Sequence, residues 1–290
     1  MKIGIIGGGA IGLLVAVHMA SKHQVSLYVR SENQKKLISE HGVTCRDLHQ
    51  RVSVYTNREN LNEQELIIIA VKQHHIQEVV SNLPSAPALL FLQNGMTHLS
   101  AIQSVPNPCV LGVVEHGALK VSDYQVIHTG YGSIQLAVHH GGVNIDSWVE
   151  GFSEKEFPFK KRESYWEMLT EKLIVNTVIN PLTAIFQVKN KEIVENDHIN
   201  KLAELLCEEA CRALQLSFRD QWARVCYIAE NTGENMSSML KDLNEGRKTE
   251  IDAICGFVLR TLKEDDAPFH QFVLESVHAL ELINQKGGAS

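Results

Sequence analysis

The 290-residue chain contains no basic run, no C-x-x-C pair and no uninterrupted apolar stretch of membrane length. Each absence removes a class of function. A net charge of −7, spread without blocks of one sign, argues against nucleic acid or an anionic membrane surface as partner. Nothing approaches the roughly 18 apolar residues that a bilayer helix needs, so no membrane span is expected. The first residues enter a strand with no charged n-region, apolar h-region or cleavage site, and the expectation is a soluble, cytoplasmic protein. Six cysteines lie scattered, and the histidine pairs His74-His75 and His139-His140 follow no ligand spacing. Reduced thiols and no metal site are expected, with Cys207 and Cys211, four apart on a predicted helix, read as small buried residues.

What is present is concentrated first in residues 2–12, Lys-Ile-Gly-Ile-Ile-Gly-Gly-Gly-Ala-Ile-Gly. Ile3, Ile5 and Ile6 form a short apolar strand, Gly7-x-Gly9-x-x-Gly12 follows at once, and Leu13, Leu14, Ala16, Val17 and Ala20 continue as a helix. That order is what a dinucleotide site requires. Gly7 permits the tight turn, Gly9 lets the backbone approach a pyrophosphate, and Gly12 lets helix and strand pack closely. The helix opened by Ala10 and Ile11 presents its N-terminal N–H groups to the anion. A second strand over 24–30 ends in Val29-Arg30-Ser31, eighteen residues beyond Gly12. An arginine where NAD enzymes carry a ribose-binding carboxylate favours NADP, with Glu32 as the residue that would favour NAD.

A short helix over 33–41 and a pair of short strands over 43–56 lead to Glu65–Val71, the most continuous apolar strand in the chain. Such a strand suits a parallel sheet covered on both faces, and it delivers Lys72 to the carboxyl edge where ligands of open α/β sheets bind. The strand 88–92 delivers Gln93-Asn94-Gly95-Met96 to the same edge, where Gly95 would let the chain turn beside a flat ring. Cys109–Val114 is a further strand, and Val126–His128 with Ser133–Ala137 reads as a hairpin added to the sheet. A helix over 144–153 and one strand within 154–162 close the first domain. The fold expected is α/β, an N-terminal Rossmann-type doubly wound sheet over 1–162 followed by an all-helical domain over 163–290. Residues 285–290 are expected to form a frayed tail.

Beyond Glu163 the apolar periodicity is helical throughout, as in Leu202, Leu205, Leu206, Ala210 and Leu214. Lys172, Asn176 and Asn180 are spaced by four, and each step rotates only about 40° around a helix, so they form one polar stripe among apolar neighbours. Such a stripe fits a cleft better than an open surface. Pro181 should kink this helix and leave the carbonyl of Thr177 without its usual partner. Ser237 and Ser238 could hold a carboxylate, Glu250 could meet a lysine or a ribose hydroxyl, and Thr249, Asp242 and Asp252 read as capping residues.

Taken together, these motifs resemble the ketopantoate reductase (2-dehydropantoate 2-reductase) family across nearly the whole chain. The matching segments are Gly7 to Gly12, Val71-Lys72, Gln93 to Met96, the Lys172/Asn176/Asn180 helix, Asn190 before Glu192-Ile193, and Ser237 through Asp242 to Thr249-Glu250-Ile251-Asp252. The resemblance implies reduction of 2-dehydropantoate to (R)-pantoate by NADPH, on the route to pantothenate and coenzyme A. It implies Lys172 as general acid, Asn94 in contact with cofactor and substrate, and Asn176, Asn180, Asn190 and Ser238 around the substrate. Glu250 would lie beside lysine and cofactor, Arg30 and Lys72 on the 2′-phosphate side of NADP, and Ala118 along the nicotinamide half. Departures occur at Lys191, where the family often has glycine, and at Glu115-His116, where smaller or hydroxyl-bearing residues are common in it. Alternatives are a related 2-oxo acid reductase, a β-hydroxyacid dehydrogenase, or a non-catalytic NADP-binding sensor. The partner expected is a small 2-oxo acid, and the state a monomer or homodimer.

Overall fold

The structure, a computed structural model, describes residues 1–85, 87–103, 105–262 and 266–287, with side chains up to residue 284. Their contacts divide into two units, Met1–Gln93 with His98–Met168, and Asn94–Thr97 with the residues from Leu169 onward.

The first unit runs β1 (Lys2–Ile6), α1 (Ala10–Met19), β2 (Gln24–Tyr28), α2 (Glu32–His41), β3 (Val43–Cys45), β4 (Leu48–Gln50), β5 (Ser53–Tyr55), β6 (Leu66–Ile69), α3 (Ile76–Val80), β7 (Ala88–Phe91), α4 (His98–Ile102), β8 (Cys109–Val114), β9 (Gly117–Lys120), β10 (Val126–Gly130), β11 (Ile134–His140), α5 (Ile145–Phe152) and β12 (Phe159–Lys161). Eight strands form one sheet in the order β12-β11-β8-β7-β6-β1-β2-β5, parallel except where β11 runs against β8. β1 pairs with β2 on one side and β6 on the other, so the strand order reverses at the carboxyl end of β1, beside Gly7. Every side chain of β6 is fully buried, as a strand covered on both faces should be.

Helix α1 is apolar all round, with Leu13, Leu14, Val15, Ala16, Val17 and Met19 buried. A helix of that kind must be covered on both sides, and here β2 lies against it together with β3, β4, β9 and β10. Two strand assignments differ from the sequence reading for this reason. Residues 43–56 supply three strands, of which β3 and β4 form a separate hairpin and only β5 joins the sheet. β10 does not pair with β11. It folds back on β9 through the turn in which Val121 N–H bonds the Gln125 carbonyl at 2.9 Å, and the resulting ribbon packs on α1.

The second unit carries α6 (Tyr165–Phe186, begun in the first unit), α7 (Glu192–Glu195), α8 (Asp197–Leu214), α9 (Phe218–Asn231), α10 (Ser238–Asn244), α11 (Ile251–Thr261) and α12 (Pro268–Gly287). The backbone of the expected tail is therefore helical to Gly287, and 288–290 lie outside the described residues. α8 shows why these segments are helices. Asn196 caps it by accepting from His198 and Ile199 N–H, and Ile199, Ala203, Leu206, Cys207, Ala210, Cys211 and Leu214 make the buried stripe. Helix α6 runs unbroken through Pro181, and the Thr177 carbonyl that proline cannot bond is approached by the Cys255 thiol at 3.8 Å. The Thr177 hydroxyl also meets His270 Nε2 at 2.9 Å, and His270 Nδ1 meets Glu209 at 2.7 Å, so a buried polar chain ties α6 to α12 and α8. All six cysteines are free thiols, and no group of metal-ligating residues occurs among the described residues. No described helix is long and apolar enough to cross a membrane.

Candidate active site

In the first unit the glycine turn has three distinct local geometries. Gly7 has φ +120°, a conformation that L side chains rarely adopt. A β-carbon on Gly12 would lie 1.8 Å from the Gly7 carbonyl oxygen, whereas one on Gly9, at the N-cap of α1, would meet nothing within 4 Å. The turn is thus closely packed at Gly12 and open at Gly9, just before the first helical residues Ala10 and Ile11, which suits a pyrophosphate. Gln34 holds the turn, its amide donating to the carbonyls of Gly8 and Asp123 at 2.8 Å each. No spacing in the sequence singles Gln34 out.

Arg30 stands exposed just beyond β2, and its Nη1 lies 2.9 Å from His75 Nε2. Lys72 follows β6, half-buried, and its carbonyl accepts the His75 N–H at 3.0 Å, so Lys72 and His75 share one turn. Glu32 faces other partners, accepting from the Thr56 hydroxyl and pairing with Lys35 at 3.4 Å. Its carboxyl is held below the usual range chiefly by the Thr56 hydrogen bond. Gln93 pins the ends of β7 and β6 together through the carbonyls of Ile69 and Val71, at 2.8 and 3.0 Å. Ala118 lies half-buried in β9 opposite His128 and packs on the core around α1. The departures at 115–116 are absorbed by packing. Glu115 accepts from Ser133 and Gln135, and the buried His116 stacks on Phe157 and meets His128 at 3.0 Å.

In the second unit Asn94 donates to Glu250 Oε2 at 2.9 Å. Gly95 has φ +75°, and a β-carbon there would lie 2.4 Å from the Ala253 carbonyl. The approach of α11 leaves no room for a side chain at this glycine. On α6, Lys172 and Asn176 are half-buried and Asn180 is 7% exposed, so the stripe does not face open solvent. Thr183, one turn beyond Asn180, accordingly ties α6 to α10, donating to Ser237 at 2.8 Å. Ser237 is the N-cap of α10 and accepts the Leu240 N–H, which leaves Ser238, exposed, as the serine able to meet a ligand. The N-cap of α11 is Glu250, with no side-chain cap; Thr249, expected to cap, precedes it and accepts the Ile251 N–H at 3.3 Å, while Asp242 pairs with Arg247 and Asp252 with His278 rather than capping helices. Asn190, 8% exposed, donates to Thr232, while its Oδ1 is buried with no hydrogen-bond partner among the described residues. Such an orphaned acceptor is where a hydroxyl donor fits. A surface cavity beside it carries Glu195, Glu230 and Glu234, carboxylates that would repel an anionic acid, and Lys191 is paired there with Glu234 at 2.9 Å.

Residues 3–141 match the family described as Ketopantoate reductase PanE/ApbA, and residues 165–281 match its C-terminal counterpart. The chain belongs to the ketopantoate reductase family. The 2-dehydropantoate 2-reductase of Bacillus subtilis (strain 168) is 37% identical over 299 residues, covering 99% of either chain. The crystal structure of a probable 2-dehydropantoate 2-reductase from Bacillus subtilis covers 97% of this chain and 100% of its own, with TM-score 0.87 and 35% identity. D-mandelate dehydrogenase, solved with NADH and anilino(oxo)acetate, shares the fold at TM-score 0.88 and 24% identity, over 98% of this chain and 100% of that one. Members of the ketopantoate reductase family are oxidoreductases, and the open glycine turn at the sheet's switch point fits the nicotinamide dinucleotide that such chemistry uses.

Proposed function

We propose that this ketopantoate reductase family member reduces 2-dehydropantoate to (R)-pantoate with NADPH, Lys172 serving as general acid. The observation that carries the reading is the α6 stripe. An amine and two carboxamides, half-buried or buried, are presented in line among Leu173, Val175, Val178 and Ile179. When bound, the reduced nicotinamide supplies a hydride to the C2 ketone. The chain's own groups handle the charge and proton that result. A positioned ammonium at Lys172 stabilises the oxygen as it becomes negative, an effect worth about 3 kcal/mol for a single pre-oriented donor, and then passes it a proton from Nζ.

Asn94 is oriented by Glu250, and an amide so fixed presents its carbonyl oxygen and second N–H to cofactor and substrate. Asn176, Asn180, Asn190 and Ser238 hold the carboxylate and hydroxyl groups of the acid, Asn190 through its orphaned Oδ1. Gly7, Gly9, Ala10, Ile11 and Gly12 receive the pyrophosphate, Ala118 the nicotinamide half, and Arg30 with Lys72 the 2′-phosphate. The engagement of Glu32 by Thr56 and Lys35 supports NADP over NAD. The domains assigned to these two tasks are 1–162 and 163–290. The test is consumption of NADPH and, separately, NADH with 2-dehydropantoate against a panel of other 2-oxo acids, with reduction of NADP+ or NAD+ by 3-hydroxy acids followed in the opposite direction. The expected result is the highest kcat/KM for 2-dehydropantoate with NADPH. A preference for another acid would reassign the substrate.

A further inference from the structure

The contact between Arg30 and His75 at 2.9 Å fixes the state of the imidazole. A guanidinium only donates, so His75 Nε2 must accept, and the ring carries its single proton on Nδ1. Burial, and next the charge of Arg30, hold His75 below the ordinary imidazole range, while Glu78 acts in the opposite sense. The charged groups described beside it are Arg30 beyond β2, Lys72 in the same turn, Glu78 on α3, and Arg58 before β6, which pairs with Glu78 at 3.6 Å. The neighbouring His74 ring lies 4.1 Å from that of His75. With Glu78 paired to Arg58, the edge presents beside the Arg30 guanidinium a neutral base that can itself become a cation.

We infer that His75 takes a proton from solvent onto Nε2 when a phosphate monoester dianion engages Arg30, and that it thereby helps distinguish NADPH from NADH. The guanidinium turns its N–H groups from the imidazole to the phosphate oxygens, the lone pair on Nε2 is released, and the imidazolium so formed donates a charge-assisted hydrogen bond of its own. The benefit is pH-dependent, because the proton must be drawn from an increasingly dilute source as pH rises. The inference rests on the proposed use of NADP(H).

Isothermal titration of the whole protein with NADPH and with NADH, in buffers of different ionisation enthalpy, measures protons taken up on binding. Relative to His75→Gln, the wild type is expected to take up additional protons with NADPH and none with NADH. The ratio of NADPH Kd values, variant over wild type, should be about tenfold near pH 6 and close towards one by pH 8, as one charge-assisted hydrogen bond is lost. The second ionisation of the phosphate, near 6, is common to both proteins and cancels in that ratio. His75→Lys, a permanent cation, should retain tight NADPH binding without this pH dependence. Equal proton uptake by wild type and His75→Gln overturns the inference and leaves the NADP assignment standing, whereas tighter binding of NADH than NADPH by the wild type overturns the assignment itself.

Discussion

Arg30 follows a strand whose end, in an α/β dinucleotide domain, faces the adenosine ribose, and its guanidinium rests against the His75 imidazole. Arg30→Ala is therefore expected to weaken NADPH by at least about tenfold, the loss of one charged contact, with NADH little changed. Fluorescence titration of both dinucleotides reads the difference, and equal losses would remove Arg30 from the 2′-phosphate. Residues of this kind are legible because their chemistry is tied to a local order. Gly7, Gly9 and Gly12 follow one strand directly, and each has the geometry its spacing implies. His75 and Gln34 are not legible in that way. Both act through a partner more than twenty residues away, Arg30 in one case and Gly8 in the other, and no periodicity encodes such a pairing.

Among the elements, α6 carries the Lys172/Asn176/Asn180 stripe, and it is joined to a buried chain running from Glu209 through His270 to Thr177. Burial opposes ionisation of Glu209, yet hydrogen bonds from the His270 ring and from the Phe269 and His270 N–H groups keep its carboxyl below the usual range. Glu209→Gln replaces an acceptor with a donor facing those N–H groups. It should lower stability by about 3 kcal/mol, the scale for breaking a buried pair, while NADPH affinity is retained. Urea unfolding measures the first and titration the second; a change below about 0.5 kcal/mol would show the chain to be dispensable. The helix itself was readable from Lys172, Asn176 and Asn180 at steps of four, and the freed Thr177 carbonyl from Pro181. That Cys255 would approach that carbonyl was not, since α11 is some seventy residues away in sequence. The same limit produced the wrong partner for β10. Alternation identifies a strand, but the choice between β9 and β11 was decided by the need to cover α1.

For the molecule as a whole, acid is the condition to which the first unit is most exposed. His98 and His116 are 1% and 6% exposed, and burial first, with neighbouring histidines second, pushes both down to about 4. Unfolding restores an imidazole near 6.5, so between 6.5 and 4 the unfolded chain binds more protons. Stability is accordingly full above 6.5 and is lost as pH falls towards 4, by on the order of 3 kcal/mol for each histidine. Thermal unfolding across that window checks the sign; His98→Gln should flatten part of the slope. A Tm that rises on acidification would contradict it.

The central claim concerns one amine, and it is tested most directly by single-turnover oxidation of NADPH with 2-dehydropantoate in the wild type and in Lys172→Ala. The account expects wild-type turnover to fall by at least about a hundredfold in the variant, with NADPH affinity within about twofold of wild type. Unaltered turnover in Lys172→Ala would contradict it.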